Sequence, residues 1–175
     1  LRALGRPRGR AAGGARGPGG PAGRGGGGRG PPPPLGRLVQ VDGRQVHVLV
    51  TGRRAGTAPD VVLIHGANGN LRDFTHDLVA RLAADYRGIA VDRPGLGWSD
   101  PWPEVDLDPQ AQARILRRAL AGLHLDRPIL VGHSYGAAVA LGWAIEAEPE
   151  LGALVLLGGV SHPWPRVLSV VYRFE

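Results

Sequence analysis

The feature that most constrains this chain is a serine between two glycines, placed where an apolar strand pattern changes into a helical one. Residues 128–131 form the apolar run, a helical stretch covers 137–148, and between them stands Gly132-His133-Ser134-Tyr135-Gly136. A strand-to-helix turn this sharp forces its central residue to positive φ, and the glycines let strand and helix approach without a Cβ clash. The pattern predicts that Ser134 stands clear of the backbone as a nucleophile. A plain strand–helix turn is the alternative.

From residue 38 onward, hydrophobic periodicity predicts alternating strands and helices. Strands 38–41 and 45–50 flank an Asp42-Gly43 turn and form a hairpin. Further strands are predicted at 61–64, 86–91, 128–131 and 151–157, and helices at 71–84, from Asp108-Pro109 onward, and at 137–148. Repeated strand–helix–strand units require a parallel sheet with helices on both faces, so the fold class is a doubly wound α/β domain. His47 is predicted to be a strand-face residue and not a catalyst.

Polar and glycine-rich segments follow the strands at one predicted sheet edge. They are His65-Gly66, Asp92-Arg93, the pentapeptide 132–136 and Gly158-Gly159. Sites in open α/β sheets lie beyond the carboxyl ends of the strands. These segments are therefore expected to meet around Ser134.

The net charge of +6 belongs to the first 37 residues. They hold 8 of the 21 arginines and no acid, so residues 38–175 carry 13 arginines against 15 acids. A segment of Gly, Pro, Arg and Ala cannot bury enough apolar surface to offset its ordering entropy. The predicted domains are a disordered tail at 1–37, an α/β core at 38–160, and the start of a cap or linker at 161–175.

Several classes of function are excluded by composition. The chain has no cysteine, which excludes disulfides, thiolate catalysis and cysteine-based metal sites. No apolar run reaches the length of a membrane span, and no secretory signal follows the arginines, so a cytoplasmic location is predicted. The arginine-rich tail could hold phosphates non-specifically, but it has no aromatic residue for base stacking, so no specific nucleic-acid partner is expected.

Three motifs together resemble the α/β-hydrolase fold superfamily, over roughly residues 38–161. They are His65-Gly66-Ala67-Asn68-Gly69-Asn70 after the third strand, Asp92-Arg93-Pro94-Gly95-Leu96-Gly97-Trp98-Ser99-Asp100 after the fourth, and the pentapeptide around Ser134. The second is similar to the family's Asp-x-x-Gly-x-Gly-x-Ser loop. The resemblance implies a mostly parallel sheet with an N-terminal antiparallel hairpin, truncated here after about the sixth strand.

The same resemblance implies an oxyanion hole made of backbone N–H groups. One donor would be Tyr135, which follows the nucleophile, and the other Ala67, or Asn68 if the loop is shifted by one residue. Gly132 and Gly136 would support the turn around the nucleophile. Such donors stabilise the negative charge that builds on a carbonyl oxygen during acyl transfer.

Other residues near these motifs receive supporting roles. The resemblance implies that His65, with Gly66, braces the oxyanion loop and is not the base. His133, Trp98 and His162 are candidates for lining the pocket, and Trp102 for its mouth. Ser99 and Asp100 are expected to hydrogen-bond the local backbone.

A serine hydrolase of this fold carries its acid and then its histidine after the nucleophile. Past Ser134 the sequence holds only His162 and four acids, Glu146, Glu148, Glu150 and Glu175. The expectation is therefore an N-terminal fragment with little or no activity, from a serine hydrolase that cleaves an ester or related acyl bond through an acyl-enzyme. Its partner would be a small-molecule acyl substrate, with no cofactor and no metal. The alternatives are a non-catalytic binding protein of this fold and a nucleic-acid binder led by the tail.

Overall fold

Six strands form one sheet in the order β1-β2-β4-β3-β5-β6. The computed structural model describes residues 32–105, 108–147 and 150–159. The strands are β1 Arg37–Val41, β2 Arg44–Gly52, β3 Asp60–Ile64, β4 Arg87–Val91, β5 Ile129–His133 and β6 Ala153–Leu157. β1 pairs antiparallel with β2 and β2 with β4, whereas β4, β3, β5 and β6 run parallel. The predicted mostly parallel sheet with an N-terminal hairpin is confirmed.

Side chains that alternate along the parallel strands enter two separate cores. Val62 and Ile64 face the cluster beneath the helices α2 (Pro109–Leu120) and α3 (Tyr135–Ala147). Val61 and Leu63 point the other way, into a cluster with Leu71, Phe74 and Val79. Both faces of β3 are buried, and its last four residues are accordingly apolar; only the first, Asp60, is charged. Helices therefore cover both faces of the sheet, as predicted.

The sequence prediction of one helix over 71–84 is wrong. The chain forms a 3-10 helix, Leu71–Phe74, and then a short helix α1, Leu78–Leu82. Asn70 caps the first, since its Oδ1 accepts the Arg72 N–H, and the Thr75 hydroxyl donates to the Arg72 carbonyl. Thr75 and Asp77 favour turns and caps over helix interiors, so the helix breaks here although the apolar spacing continues across residues 75–77.

The helix α2 begins where the sequence predicts. Asp108 is the N-cap, and its carboxylate accepts the N–H groups of Gln110 and Ala111, while Pro109 occupies the first turn. Within the described ranges, no helix is both long and apolar enough to cross a bilayer. The predicted tail up to residue 31 and the segment 160–175 lie outside the described residues.

Candidate active site

Ser134 occupies a strained backbone position between β5 and α3. Its φ is 52°, which confirms the predicted left-handed conformation. The Ser134 N–H donates to the Leu157 carbonyl at 2.9 Å, so the turn is tied to the end of β6. Ser134 is half-buried and α3 begins at the next residue, Tyr135. The serine therefore sits at a helix N-terminus, where the helix dipole favours negative charge.

The two glycines of the pentapeptide allow this close approach. A Cβ at Gly132 would lie 2.4 Å from the Gly136 carbonyl oxygen, and one at Gly136 would lie 2.2 Å from that of Ile64. Contacts this short do not occur between real Cβ atoms and backbone oxygens. Gly132 therefore lets the start of α3 approach β5, and Gly136 lets it approach the end of the central strand β3.

The loop that follows β3 lies directly against the serine. A Cβ at Gly66 would lie 3.0 Å from Ser134 Cβ and 3.2 Å from His133 Nδ1. Ala67 is half-buried beside it, and Asn68 is exposed with φ 54°. The structure thus brings the predicted loop and the predicted nucleophile together at one edge of the sheet.

His65 is fully buried and holds this loop with both ring nitrogens. Its Nδ1 lies 2.9 Å from the Gly66 carbonyl oxygen, and its Nε2 accepts the Arg93 N–H at 3.0 Å. Nε2 is thus the acceptor and Nδ1 carries the proton. Burial, together with the Arg93 charge, lowers the pKa of His65 to about 4. A neutral imidazole that forms a hydrogen bond at each ring nitrogen is suited to holding the loop in place.

This pKa predicts an acid-sensitive stability. In the unfolded chain His65 should titrate near pH 6.5, as an ordinary histidine does, so it binds a proton more readily there than in the folded protein. Stability is then complete above about pH 6.5 and is lost as the pH falls towards 4, by about 3 kcal/mol. Urea unfolding between pH 7.5 and 4.5 should show this loss in the wild type and a much shallower slope in His65→Gln. His76→Gln, at an exposed site, controls for removal of an imidazole. Equal slopes in His65→Gln and the wild type would contradict the prediction.

Asp92, directly after β4, organises the loops around the site. Its buried carboxylate accepts the Leu71 N–H at 2.7 Å, the Trp98 N–H at 2.8 Å and His47 Nδ1 at 2.7 Å. Burial alone would raise the pKa of Asp92, but the hydrogen bonds from His47, Leu71 and Trp98 outweigh it and lower the pKa. The carboxylate therefore stays charged and joins three segments that are distant in sequence.

The role of His47 is likewise structural. The side chain is 1% exposed, and its Nε2 accepts the Gly36 N–H, which leaves the proton on Nδ1 for Asp92. The sequence placed it on a strand face, and it lies there facing the Asp92 loop.

Ser99 and Asp100 form hydrogen bonds beyond their own loop, which the sequence did not predict. Ser99 Oγ donates to the Asp92 carbonyl and also accepts the His47 N–H. The Asp100 carboxylate accepts the Gln45 N–H.

The pocket-lining candidates separate in the structure. His133 is exposed beside Gly66, and Trp98 is half-buried in the Asp92 loop. Trp102 was expected at the pocket mouth, but it is 5% exposed in the core, because its ring packs with that cluster under the Arg44 guanidinium. It lines a cavity of about 780 Å³ between the hairpin and α2, which no other predicted site residue in the described ranges lines. His162 lies outside the described residues.

The sequence placed Arg93 at this edge of the sheet but gave it no role in the site. It is 4% exposed and contacts the loop after β3, the helix α2 and the Tyr135 ring. Its position directly after Asp92 was the only available signal. Within the described ranges, no group of three or more potential ligands among His, Cys, Asp and Glu is arranged to hold a metal ion.

Comparison with known proteins gives a consistent family. A protein-family model described as the alpha/beta hydrolase fold matches residues 59–172. The chain is 32% identical over 118 residues to a 2-hydroxy-6-oxononadienedioate/2-hydroxy-6-oxononatrienedioate hydrolase of Cupriavidus pinatubonensis, covering 66% of this chain and 40% of that protein. It is 33% identical over 124 residues to the 2-hydroxy-6-oxo-6-phenylhexa-2,4-dienoate hydrolase of Comamonas testosteroni, covering 65% of this chain and 42% of that protein.

Solved structures agree with the sequence matches. An esterase from Exiguobacterium antarcticum superposes with a TM-score of 0.63 at 30% identity, over 73% of this chain and 46% of that one. The esterase RhEst1 from Rhodococcus superposes with a TM-score of 0.61 at 34% identity, over 71% and 45%. The chain thus spans less than half the length of these relatives. The sheet order, the turn around Ser134 and the matched family model together show that this chain belongs to the alpha/beta hydrolase fold family.

Proposed function

We propose that this chain carries the nucleophile and the oxyanion hole of a serine hydrolase that cleaves an ester or a related acyl bond. The observation that carries the proposal is the backbone of Ser134, held at φ 52° with Gly66 against its Cβ. Strain of this kind costs free energy and persists only where the surroundings enforce it. The serine lies at the start of α3 with its Cβ against the loop after β3, which supports a role for it as the nucleophile.

The chemistry follows from this placement. Ser134 Oγ would attack the carbonyl carbon as its proton passes to solvent, and the carbonyl electron pair would move onto oxygen to form an oxyanion. When that pair returns, the bond to the leaving alcohol would break, the alcohol would take a proton from solvent, and an acyl-serine would remain. The Tyr135 N–H at the start of α3 and the Ala67 N–H after Gly66 would donate to that oxyanion, and Asn68 is the alternative to Ala67. The loss of one such donor typically costs about 10²–10³ in rate. The proposal assigns no general base; His162, the only histidine after Ser134 in this sequence, lies outside the described residues.

A second candidate reaction uses the same atoms. The two relatives named above as dienoate hydrolases are 32% and 33% identical to this chain over about two thirds of its length. Their names favour a 2-hydroxy-6-oxo dienoate, in which the bond cleaved beside the carbonyl would be carbon–carbon. Oxyanion donors would serve either substrate.

Acetyl transfer from p-nitrophenyl acetate tests the proposal on the chain itself. We expect slow release of nitrophenolate and a single acetyl group on the peptide that contains Ser134, identified by mass spectrometry. Ser134→Ala should lose the adduct, and Thr57→Ala, at an exposed hydroxyl far along the chain, should keep it. The rate should be low, since serine catalysis without its base falls by roughly 10⁴–10⁶. An adduct that persists in Ser134→Ala would overturn the proposal, and faster turnover of a 2-hydroxy-6-oxo dienoate would favour the second candidate.

A further inference from the structure

The Arg93 guanidinium spans the two parts of the site. Its Nε donates to the His65 carbonyl at 3.0 Å and its Nη2 to the Gly66 carbonyl at 2.8 Å. Its third nitrogen, Nη1, donates to Gln112 Oε1 on α2 at 2.9 Å. Its Cζ lies 4.7 Å from the centre of the Tyr135 ring, within the range of a cation–π contact. One buried cation therefore contacts the loop after β3 and the first residue of α3.

The contact with Gly66 bears on the neighbouring residue. The Gly66 carbonyl belongs to the same planar peptide group as the Ala67 N–H, so fixing the oxygen fixes the direction of the N–H. That oxygen accepts two hydrogen bonds, from Arg93 Nη2 and from His65 Nδ1. Hydrogen bonds to a peptide oxygen polarise the group and make its N–H a stronger donor, and a charged partner strengthens the effect.

We propose that Arg93 is a positioning residue of the oxyanion hole, which directs the Ala67 N–H and strengthens it as a donor by charging the opposite end of the Gly66–Ala67 peptide. The inference rests on the proposed function, because the Ala67 N–H matters only if an oxyanion forms beside Ser134. Arg93 touches no reacting atom and acts through the peptide. Its planar fork serves two carbonyls and Gln112 at once, which the single ammonium of a lysine cannot do.

The hydrogen bonds of Arg93 also explain how a charged side chain can be buried at this position. A buried charge is tolerated when its donors are satisfied, and here each of the three guanidinium nitrogens donates to an oxygen atom. A residue needed only for packing would not require three polar partners aimed at one loop and one helix.

The test compares Arg93→Met and Arg93→Lys with a matched control, Arg87→Met. Arg87 is also a buried arginine on β4, but it binds Asp60 and the Leu123 carbonyl. Each variant is first shown to be folded by circular dichroism at the assay temperature. The labelling rate of Ser134 by a fluorophosphonate is then measured at pH 7.5. We expect the labelling rate to fall about tenfold or more in Arg93→Met, which is less than the effect of losing one donor completely. The rate should be intermediate in Arg93→Lys and equal to that of the wild type in Arg87→Met. A folded Arg93→Met that labels at the wild-type rate would overturn the proposal.

A second readout separates this inference from the proposed function. In ¹⁵N–¹H spectra, the Ala67 amide proton should move upfield in Arg93→Met, because its peptide loses a charged hydrogen-bond donor, and should stay in place in Arg87→Met. If Ser134 in the wild type does not label at all, the proposed nucleophile fails, and the amide shift alone decides the role of Arg93. An Ala67 resonance that is unchanged in Arg93→Met overturns it.

Discussion

Replacing Gly136 with alanine is expected to destabilise the fold by at least about 3 kcal/mol. The new methyl group would lie 2.2 Å from the Ile64 carbonyl oxygen and 2.4 Å from that of His65. Both are backbone atoms at the end of the central strand β3, and neither can move without disturbing its pairing with β4 and β5. The helix α3 would have to withdraw from the sheet, and Ser134 would move with it.

Thermal unfolding gives the measurement for Gly136→Ala. A loss of this size corresponds to a melting temperature lower by roughly 6–12 °C for a domain of this length. Gly122→Ala is the matched control, since a Cβ there meets nothing within 4 Å. We expect the control to stay within about 1 kcal/mol of the wild type, with any change in the stabilising direction. Equal melting temperatures for Gly136→Ala and the wild type would show that α3 does not approach β3 as described.

Replacing Asp92 with asparagine should destabilise the fold by about 1–3 kcal/mol for each donor that it leaves without an acceptor. Three N–H donors converge on the carboxylate, from Leu71, Trp98 and His47. The asparagine side chain has the same shape, but its amide nitrogen would face at least one of these donors and leave it buried without an acceptor. Orphaned buried donors cost about 1–3 kcal/mol each.

Urea unfolding at pH 7 measures this loss, and Asp77→Asn is its control. Asp77 is exposed and pairs with Arg81 one helical turn away, a contact worth at most about 0.5 kcal/mol. Because the folded pKa of Asp92 is lowered, its contribution is present above the ordinary aspartate pKa and is lost as the pH falls through the lower folded value. An Asp92→Asn variant as stable as Asp77→Asn would contradict the role given to this carboxylate.

Local sequence patterns were sufficient for most of the fold. The parallel strands can be predicted because their residues are almost all apolar, and Asp108-Pro109 marks the start of α2 through its capping chemistry. The helix over 71–84 was wrong because apolar spacing continued across residues 75–77, whereas their side chains favour a turn. The positive φ of Ser134 followed from steric need alone.

The links between loops could not be read in the same way. Asp92, Arg93 and His47 each have a partner 19 to 45 positions away, and those distant partners meet because β4 lies between β2 and β3 in the sheet. The spacing of residues along the sequence does not predict this order of strands in the sheet. Trp102 illustrates the same point, since the sequence left open whether it lines the pocket mouth or packs in the core, and it packs in the core.

The most direct test of the central claim is the site of fluorophosphonate labelling on the folded and on the urea-unfolded chain. The reactivity of Ser134 is attributed to its strained position beside Gly66 and the start of α3, so it should disappear with the fold. We predict an adduct on the Ser134 peptide of the native protein, none on the peptide that contains Ser99, and none on either after unfolding. Equal labelling of Ser134 in the native and unfolded chains, or a native adduct at Ser99 in place of Ser134, would contradict the account.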